Sequence, residues 1–543
     1  MKKIATASYD FKAIRENDYA YVDKTSFLHR LVADKVDARY FIARPRRFGK
    51  SLMLSTLDYL FHGEKSLFSG LQIESEGYDF CDTYPVVHLD MAACLASTAK
   101  DIECNIKVML ERLIAAFDLK ITDEANPTIG TLFWIVLDEL LKTTGKKVVV
   151  LIDEYDVPVT NLWDNKEERE KARTVMHDFY VQLKTSDRNI RFLMMTGVSK
   201  IAKLSVFSGL NNLIDLTMSS EYATMFGYTE HEIRRDFDEQ ISAFAVANKI
   251  DHDSAIHALL NWYDSYRFSP QATSTDCVCN PVSIGKALSE RRIKNYWTAT
   301  GNTTVIYKAL RGQLITPLNL DGIIGSEADL EVSPIERLNV PALFFQTGYL
   351  TIKNRCYDGK LELGIPNQEV KEALTKGFLD FMFSNAQFDF VARADVAKKI
   401  LDKMQSDVSA VLKEILYGAF AALPYEWKCD NEAEAKRMFL FFVYFLGADI
   451  RGEQESAIGR ADAILELAHA IYIFEFKYDG SSQAAYEQAV ERKYADRYIR
   501  ESRPVYLVGV NYSSETRNID APFVAQADFS QVWDVPSDDS SDE

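Results

Sequence analysis

The sequence predicts an α/β protein with a parallel, doubly wound sheet near its amino terminus, a helical middle and a second α/β domain at its carboxyl end. Three observations lead there. Tyr40-Phe41-Ile42-Ala43 is an apolar strand that runs through a basic loop, Arg44 to Gly49, into a helix from Lys50 to Phe61. Val148 to Ile152 is an uninterrupted apolar run ending in Asp153-Glu154, as in a strand covered on both faces. Ile471 to Tyr478 alternates two faces, one carrying Ile471, Ile473, Glu475 and Lys477, the other Tyr472, Phe474, Phe476 and Tyr478.

The remaining elements follow in order. Pro85 to Asp90 reads as a second strand, and residues 101–119 and 130–143 have helical apolar spacing. Arg191 to Met195 is another apolar run, ending at Thr196-Gly197, and Asn212 to Met218 is read as a fifth strand. Strands alternating with helices favour a parallel sheet. Residues 227–315 are mainly helical with a loop near Pro270 to Pro281. Residues 316–370 carry short strands such as Tyr349–Lys353 and Leu361–Leu363, and 370–420 return to helical spacing. From Asn431 the pattern is helix, three strands, helix and a closing strand at Val505–Val510. The expected domains are 1–225, a helical subdomain 226–315, a mixed linking region 316–425, a second α/β domain 426–534 and a disordered acidic tail 535–543.

Length and composition set bounds. A chain of 543 residues exceeds one core, and 47% hydrophobic residues exclude a disordered protein. The net charge of −18 repels nucleic acid as a whole, so any contact with it needs a local basic patch. Arg492, Lys493, Arg497, Arg500 and Arg503 supply one such stretch, and ordinary helix solvation explains them equally well. Seven scattered cysteines argue against a disulfide framework, and the eight histidines do not cluster. No apolar run reaches membrane-spanning length, and the amino terminus has no signal-peptide core, so a cytoplasmic protein is expected.

The chemistry-bearing residues form two sets. Phe48-Gly49-Lys50-Ser51 lies between a strand and a helix, where backbone N–H groups hold phosphates, a lysine neutralises them and a hydroxyl holds magnesium. Arg44 stands where such loops carry their first glycine, and the basic run through Arg46 and Arg47 suits a polyphosphate. Asp153 is placed to support magnesium, and Glu154 to orient or deprotonate the attacking water. Thr196 and Ser199, after the next strand, are candidate contacts to phosphate or water, although such residues are also common turn formers. Leu52 completes the nucleotide-binding stretch. In the second set Glu475 and Lys477 share a strand face, and Asp462 lies thirteen positions earlier, room for one strand and a tight turn. Carboxylates converging on magnesium, with a nearby lysine, are the parts of a phosphodiester-cutting site. A solvated Glu–Lys pair at a strand end would give the same local spacing.

Several stretches resemble the bacterial AAA-ATPase-like family. They are Tyr21-Val22-Asp23-Lys24-Thr25, Arg44 to Leu52, Leu151 to Asp156, Thr196 to Lys200, Phe207 to Asn212 and Tyr296 to Gly301. Asp462, Glu475 and Lys477 likewise resemble the PD-(D/E)XK nuclease signature. The resemblance implies a P-loop-type ATPase domain and a restriction-endonuclease-like domain. It adds Glu432 as a further metal ligand, with Glu453 or Glu455 as alternatives, and Gln488 with Lys493 and Tyr494 on the helix that follows. The implied cofactors are ATP and Mg2+, and the implied substrate is DNA or RNA, with a homo-oligomer left open. A nucleotide-controlled binding switch and a signalling ATPase with a silent nuclease fold stand as alternatives.

Overall fold

A computed structural model of the chain describes residues 1–36, 38–121, 127–200, 212–271, 273–297, 320, 322–331, 339–382, 417, 420–421, 429–445, 450–455, 460–467 and 469–529. The chain divides into two compact units, 1–309 with 320–374, and 310–319 with 375–543. Residues 226–309 of the expected helical subdomain and 320–374 of the linking region fall in the first unit. The expected acidic tail lies outside the described residues.

In the first unit β1 (Arg39–Ala43), β2 (Val86–Asp90), β3 (Val148–Asp153), β4 (Ile190–Gly197) and β5 (Ile214–Asp215) form a parallel sheet in the order β2-β3-β4-β1-β5. Every residue of β1, β3 and β4 is buried, which is why these segments read as continuous apolar runs. The fifth strand shrinks to two residues, Ile214 and Asp215, paired with Tyr40 and Phe41.

Helix α1 (Lys50–Phe61) follows β1; α2 (Ala99–Ala116) and α3 (Ile129–Thr144) lie between β2 and β3; α4 (Lys166–Thr185) connects β3 to β4. Helix α4 is absent from the sequence-based expectations, because its first two turns are almost wholly charged. Its buried Ala172, Met176, Phe179, Tyr180 and Leu183 nevertheless keep helical spacing and join the core beneath the sheet.

A second core in this unit is built from α5 (Asp238–Asn248), α6 (His252–Tyr263) and α7 (Pro281–Glu290), through Phe244, Ile256, Leu259 and Ile284 among others. A small antiparallel sheet, β6 (Ile323–Gly325), β7 (Thr351–Arg355) and β8 (Leu361–Gly364), completes it.

The second unit has helix α8 (Glu432–Phe445), strands β9 (Ile450–Glu455), β10 (Arg460–Glu466) and β11 (Ile471–Tyr478), helix α9 (Ser482–Glu491) and strand β12 (Val505–Ser513). Strands β9, β10 and β11 are antiparallel, whereas β11 and β12 are parallel and joined through α9. Two short strands, β13 (Asn518–Ile519) and β14 (Phe523–Gln526), both pair with β12 and were not expected from the sequence. The two faces of β11 separate as their side chains dictate. Phe474 and Phe476 pack on Phe439 of α8, and Ile471 and Ile473 join a core with Ala489 and Tyr494. No helix among the described residues is long and apolar enough to cross a membrane.

Candidate nucleotide and metal sites

Strand β1 delivers the loop Arg44–Gly49 to the start of α1. Gly49 adopts φ +98°, which a side chain would resist, and the space its Cβ would occupy is clear for 4 Å. The first backbone N–H groups of α1 thus face an open cradle. Lys50 is 5% exposed and donates to the Arg44 and Pro45 carbonyls at 3.0 and 3.1 Å. Burial lowers its pKa, against the opposing pull of Glu154, Asp153 and Asp156.

Strand β4 lies between β1 and β3, so side chains from all three strand ends meet. Ser51 Oγ donates to Asp153 Oδ2 at 2.5 Å, and Thr196 Oγ1 donates to Asp153 Oδ1. A hydroxyl beside a strand-end carboxylate is the donor set that holds magnesium next to a polyphosphate, so Ser51 and Asp153 fit that ion. Glu154, next in sequence, adopts φ +53°. For a non-glycine residue this conformation stores about 1–3 kcal/mol, which the surroundings must hold. Burial raises the Glu154 pKa, with Lys50 opposing. Arg46, Arg47, Phe48, Gly49, Lys50, Ser51, Leu52, Asp153 and Glu154 all line a cavity of about 620 Å³, inside the size range of small-ligand sites.

Three residues act differently from the sequence reading. Arg44 does not present its charge to the cavity. It is 1% exposed, donates to the Ala43 and Thr217 carbonyls at 3.0 and 2.6 Å, and lies 4.4 Å from the centre of the Phe268 ring. Desolvation lowers its pKa to about 9. Thr196 is fully buried, does not line the cavity, and gives its hydroxyl to Asp153. Ser199 gives both its N–H and its hydroxyl to Asp156 at 3.0 Å. Within the loop, Arg47 donates to the Tyr296 carbonyl at 3.1 Å, and Phe48 packs edge-on against Tyr266 and Phe268.

In the second unit the antiparallel register of Ala463 with Phe474 continues to place Asp462 across from Glu475. Asp462 Oδ2 accepts the Phe476 N–H at 2.9 Å, and Lys436 Nζ of α8 lies 2.9 Å from Oδ1. Glu475 is 4% exposed. Gln488 of α9 donates its amide to Glu475 Oε1 and accepts from Lys477 Nζ, so it links the two. Glu475 Oε2 is buried and has no hydrogen-bond partner among the described residues. Burial pushes the Glu475 pKa up to about 8; Asp462 and Glu432 push the same way, and Lys477 and Lys436 oppose them. Burial also raises the Tyr494 pKa, reinforced by the charges of Glu475 and Asp462.

An orphaned buried carboxylate oxygen beside a second carboxylate fits a divalent cation. Mg2+ is commonly held by one or two carboxylates with water completing its shell. Among the described residues the wider ligand set expected from sequence is not assembled. Among the described residues no three His, Cys, Asp or Glu side chains group as metal ligands. Glu432 is exposed on the first turn of α8 and reaches Glu475 through its charge, while Lys436, one turn later, takes the contact with Asp462.

Two residues of this site escaped the sequence reading. Lys436, four positions after Glu432, reads as half of a surface helix pair. Gly509 of β12 pairs with Glu475, and a Cβ there would sit 1.9 Å from the Ser482 carbonyl and 2.5 Å from the Tyr486 nitrogen. Only glycine lets α9 approach closely enough for Gln488 to reach Glu475. A lone glycine inside a strand was the available signal.

Lys493 lies beyond the end of α9, and Arg503 is tied to Glu501 and the Leu467 carbonyl, so the expected basic stretch is in part neutralised. The side chains of Glu453 and Glu455 lie outside the described residues, as do Phe207–Asn211, Thr298–Gly301 and Gly459.

Comparison with known proteins agrees with this division. A family model described as a predicted AAA-ATPase matches residues 6–207, and one for the PD-(D/E)XK nuclease superfamily matches residues 430–521. A protein of Azotobacter chroococcum mcd 1, described as an uncharacterized protein in the vnfD 5′ region, is 31% identical over 532 residues. The match covers 95% of this chain and 98% of that protein.

Proposed function

We propose that this chain, which belongs to the predicted AAA-ATPase family and carries a PD-(D/E)XK nuclease superfamily domain, hydrolyses ATP in its first unit and cuts nucleic acid with magnesium in its second. Glu475 carries the reading. A buried carboxylate with one oxygen unpartnered, set across a strand pair from Asp462, is costly to keep unless it has a ligand to hold.

In the first unit Lys50 and the N–H groups at the start of α1 bind the β- and γ-phosphates. Ser51 and Asp153 hold the accompanying magnesium, and Thr196 keeps Asp153 from rotating away. Glu154, its proton affinity raised by burial, orients the attacking water and accepts its proton.

In the second unit Asp462 and Glu475 hold the divalent cation, which when bound supplies Lewis-acid polarisation of the phosphodiester. Gln488 fixes the rotamers of Glu475 and Lys477 together. Lys477 places a positive charge beside the phosphate as negative charge develops.

The test is cleavage of DNA and RNA with magnesium, with and without ATP, by wild type, Lys477→Ala and Lys50→Ala, together with phosphate release by Glu154→Gln. The proposal expects cleavage lost in Lys477→Ala and phosphate release lost in Lys50→Ala and Glu154→Gln. No cleavage of either polymer by wild type in any nucleotide state contradicts the nuclease half.

One observation favours a second reading, a nucleotide-controlled switch without turnover. The Lys50 ammonium is already held by two carbonyls of its own loop, so it must exchange them for phosphate. Tight ATP binding without phosphate release selects that reading.

A further inference from the structure

We propose that Lys436 is a resident counter-ion of the acid pair, which competes with the divalent cation for Asp462 and thereby sets the metal affinity of the second site. The inference rests on the metal-binding reading of Asp462 and Glu475.

On a solvated helix, Lys436 would pair with Glu432 one turn away. Its ammonium lies 2.9 Å from Asp462 Oδ1 on β10. Both side chains are largely shielded, at 14% and 17% exposure, so water screens this contact far less than a surface ion pair. Asp462 cannot swing away, because its other oxygen accepts the Phe476 N–H at 2.9 Å.

The rest of the site is not neutralised in the same way. Glu475 meets the uncharged amide of Gln488, and Lys477 contacts the oxygen of that amide. Glu475 Oε2, in a residue 4% exposed, has no partner among the described residues. A cation entering between the two acids therefore reaches a carboxylate that already carries an ammonium. Two positive charges sharing one carboxylate repel, so each weakens the other's hold, and the effect is reciprocal. Metal binding loosens Lys436, and removing the Lys436 charge tightens metal binding.

The experiment uses the full chain without nucleotide and Mn2+ as the probe, with free Mn2+ read by electron paramagnetic resonance. Wild type, Lys436→Met, Lys436→Gln, Lys436→Arg and Asp462→Asn are compared. The neutral variants are expected to bind Mn2+ about tenfold more tightly than wild type, within the usual span of coupling between sites. Lys436→Arg is expected to stay near wild type. Unchanged or weaker binding in folded neutral variants overturns the proposal.

If those variants do not fold, acylation of Lys436 in wild type decides. Its reactivity is expected to rise severalfold as Mn2+ is added, and no rise overturns the proposal. Failure of the underlying reading looks different, since wild type and Asp462→Asn would then give the same Mn2+ isotherm.

Discussion

Asp153 and Asp462 are both strand-borne carboxylates, yet their neighbours carry different charge. Asp153 accepts from two neutral hydroxyls, Ser51 and Thr196, and from the Glu154 N–H, whereas Asp462 accepts from a backbone N–H and faces an ammonium. The surroundings differ in the same sense. In the first unit burial acts on both signs, lowering the Lys50 pKa and raising that of Glu154. In the second it acts chiefly on an acid, raising Glu475. A polyanion accompanied by magnesium relieves both strains of the first site, while a cation alone relieves the second. The two units therefore differ in what they should respond to: nucleotide with metal for one, metal for the other.

The largest expected effect separates the units by activity. Lys477→Ala should lower nucleic-acid cleavage by about 10²–10³-fold, the scale seen when one transition-state charge partner is removed. Phosphate release should stay near wild type in the same preparation. Equal loss of both activities would break the comparison.

Next come two stability effects. Restoring a glycine by Arg44→Gly should destabilise the first unit by about 2–3 kcal/mol in a denaturant titration, because the Ala43 and Thr217 carbonyls lose their donor and Phe268 its cation. Higher ATP turnover in that variant would mean that Arg44 merely fills a glycine position. Gly509→Ala should cost the second unit about 1–3 kcal/mol, since the clash is with helix backbone and not with a mobile side chain. Hydrogen exchange should localise the loss to α9 and β12.

The remaining prediction is a pH dependence. Burial, reinforced by Asp462, pushes the Glu475 pKa up to about 8 in the folded chain, from a usual carboxylate value near 4.5. Its protonated form is favoured by folding, so its contribution to stability is complete below about pH 4.5 and is lost as pH rises toward 8. Relative to wild type, Glu475→Gln should therefore gain melting temperature at pH 8 and not at pH 4. Mn2+ binding by wild type should strengthen across the same window, since the metal needs the ionised form. A pH-independent difference would remove burial of this acid from the account.

Much of this was legible because the candidate site residues interrupt patterns that folding otherwise keeps. The apolar run of β3 ends abruptly in Asp153-Glu154, and the aliphatic stripe of β11 continues as Glu475 and Lys477. Arg44 was not legible as a structural residue, because its basic neighbours suggest phosphate and only the fold reveals the carbonyls it satisfies. Lys436 was hidden by its helical spacing from Glu432, which fits a surface pair just as well. Sequence places Thr196 at a strand end but does not give the direction of its hydroxyl, which meets Asp153. Helix α4 was passed over for its charged first turns, although its buried positions keep their spacing.

Anomalous diffraction from crystals of the full chain grown with Mn2+ tests the account most directly. One manganese peak within bonding distance of both Asp462 and Glu475, absent in Glu475→Gln, is the result the account predicts. Ordered, metal-free carboxylates at both positions in millimolar Mn2+ would contradict it.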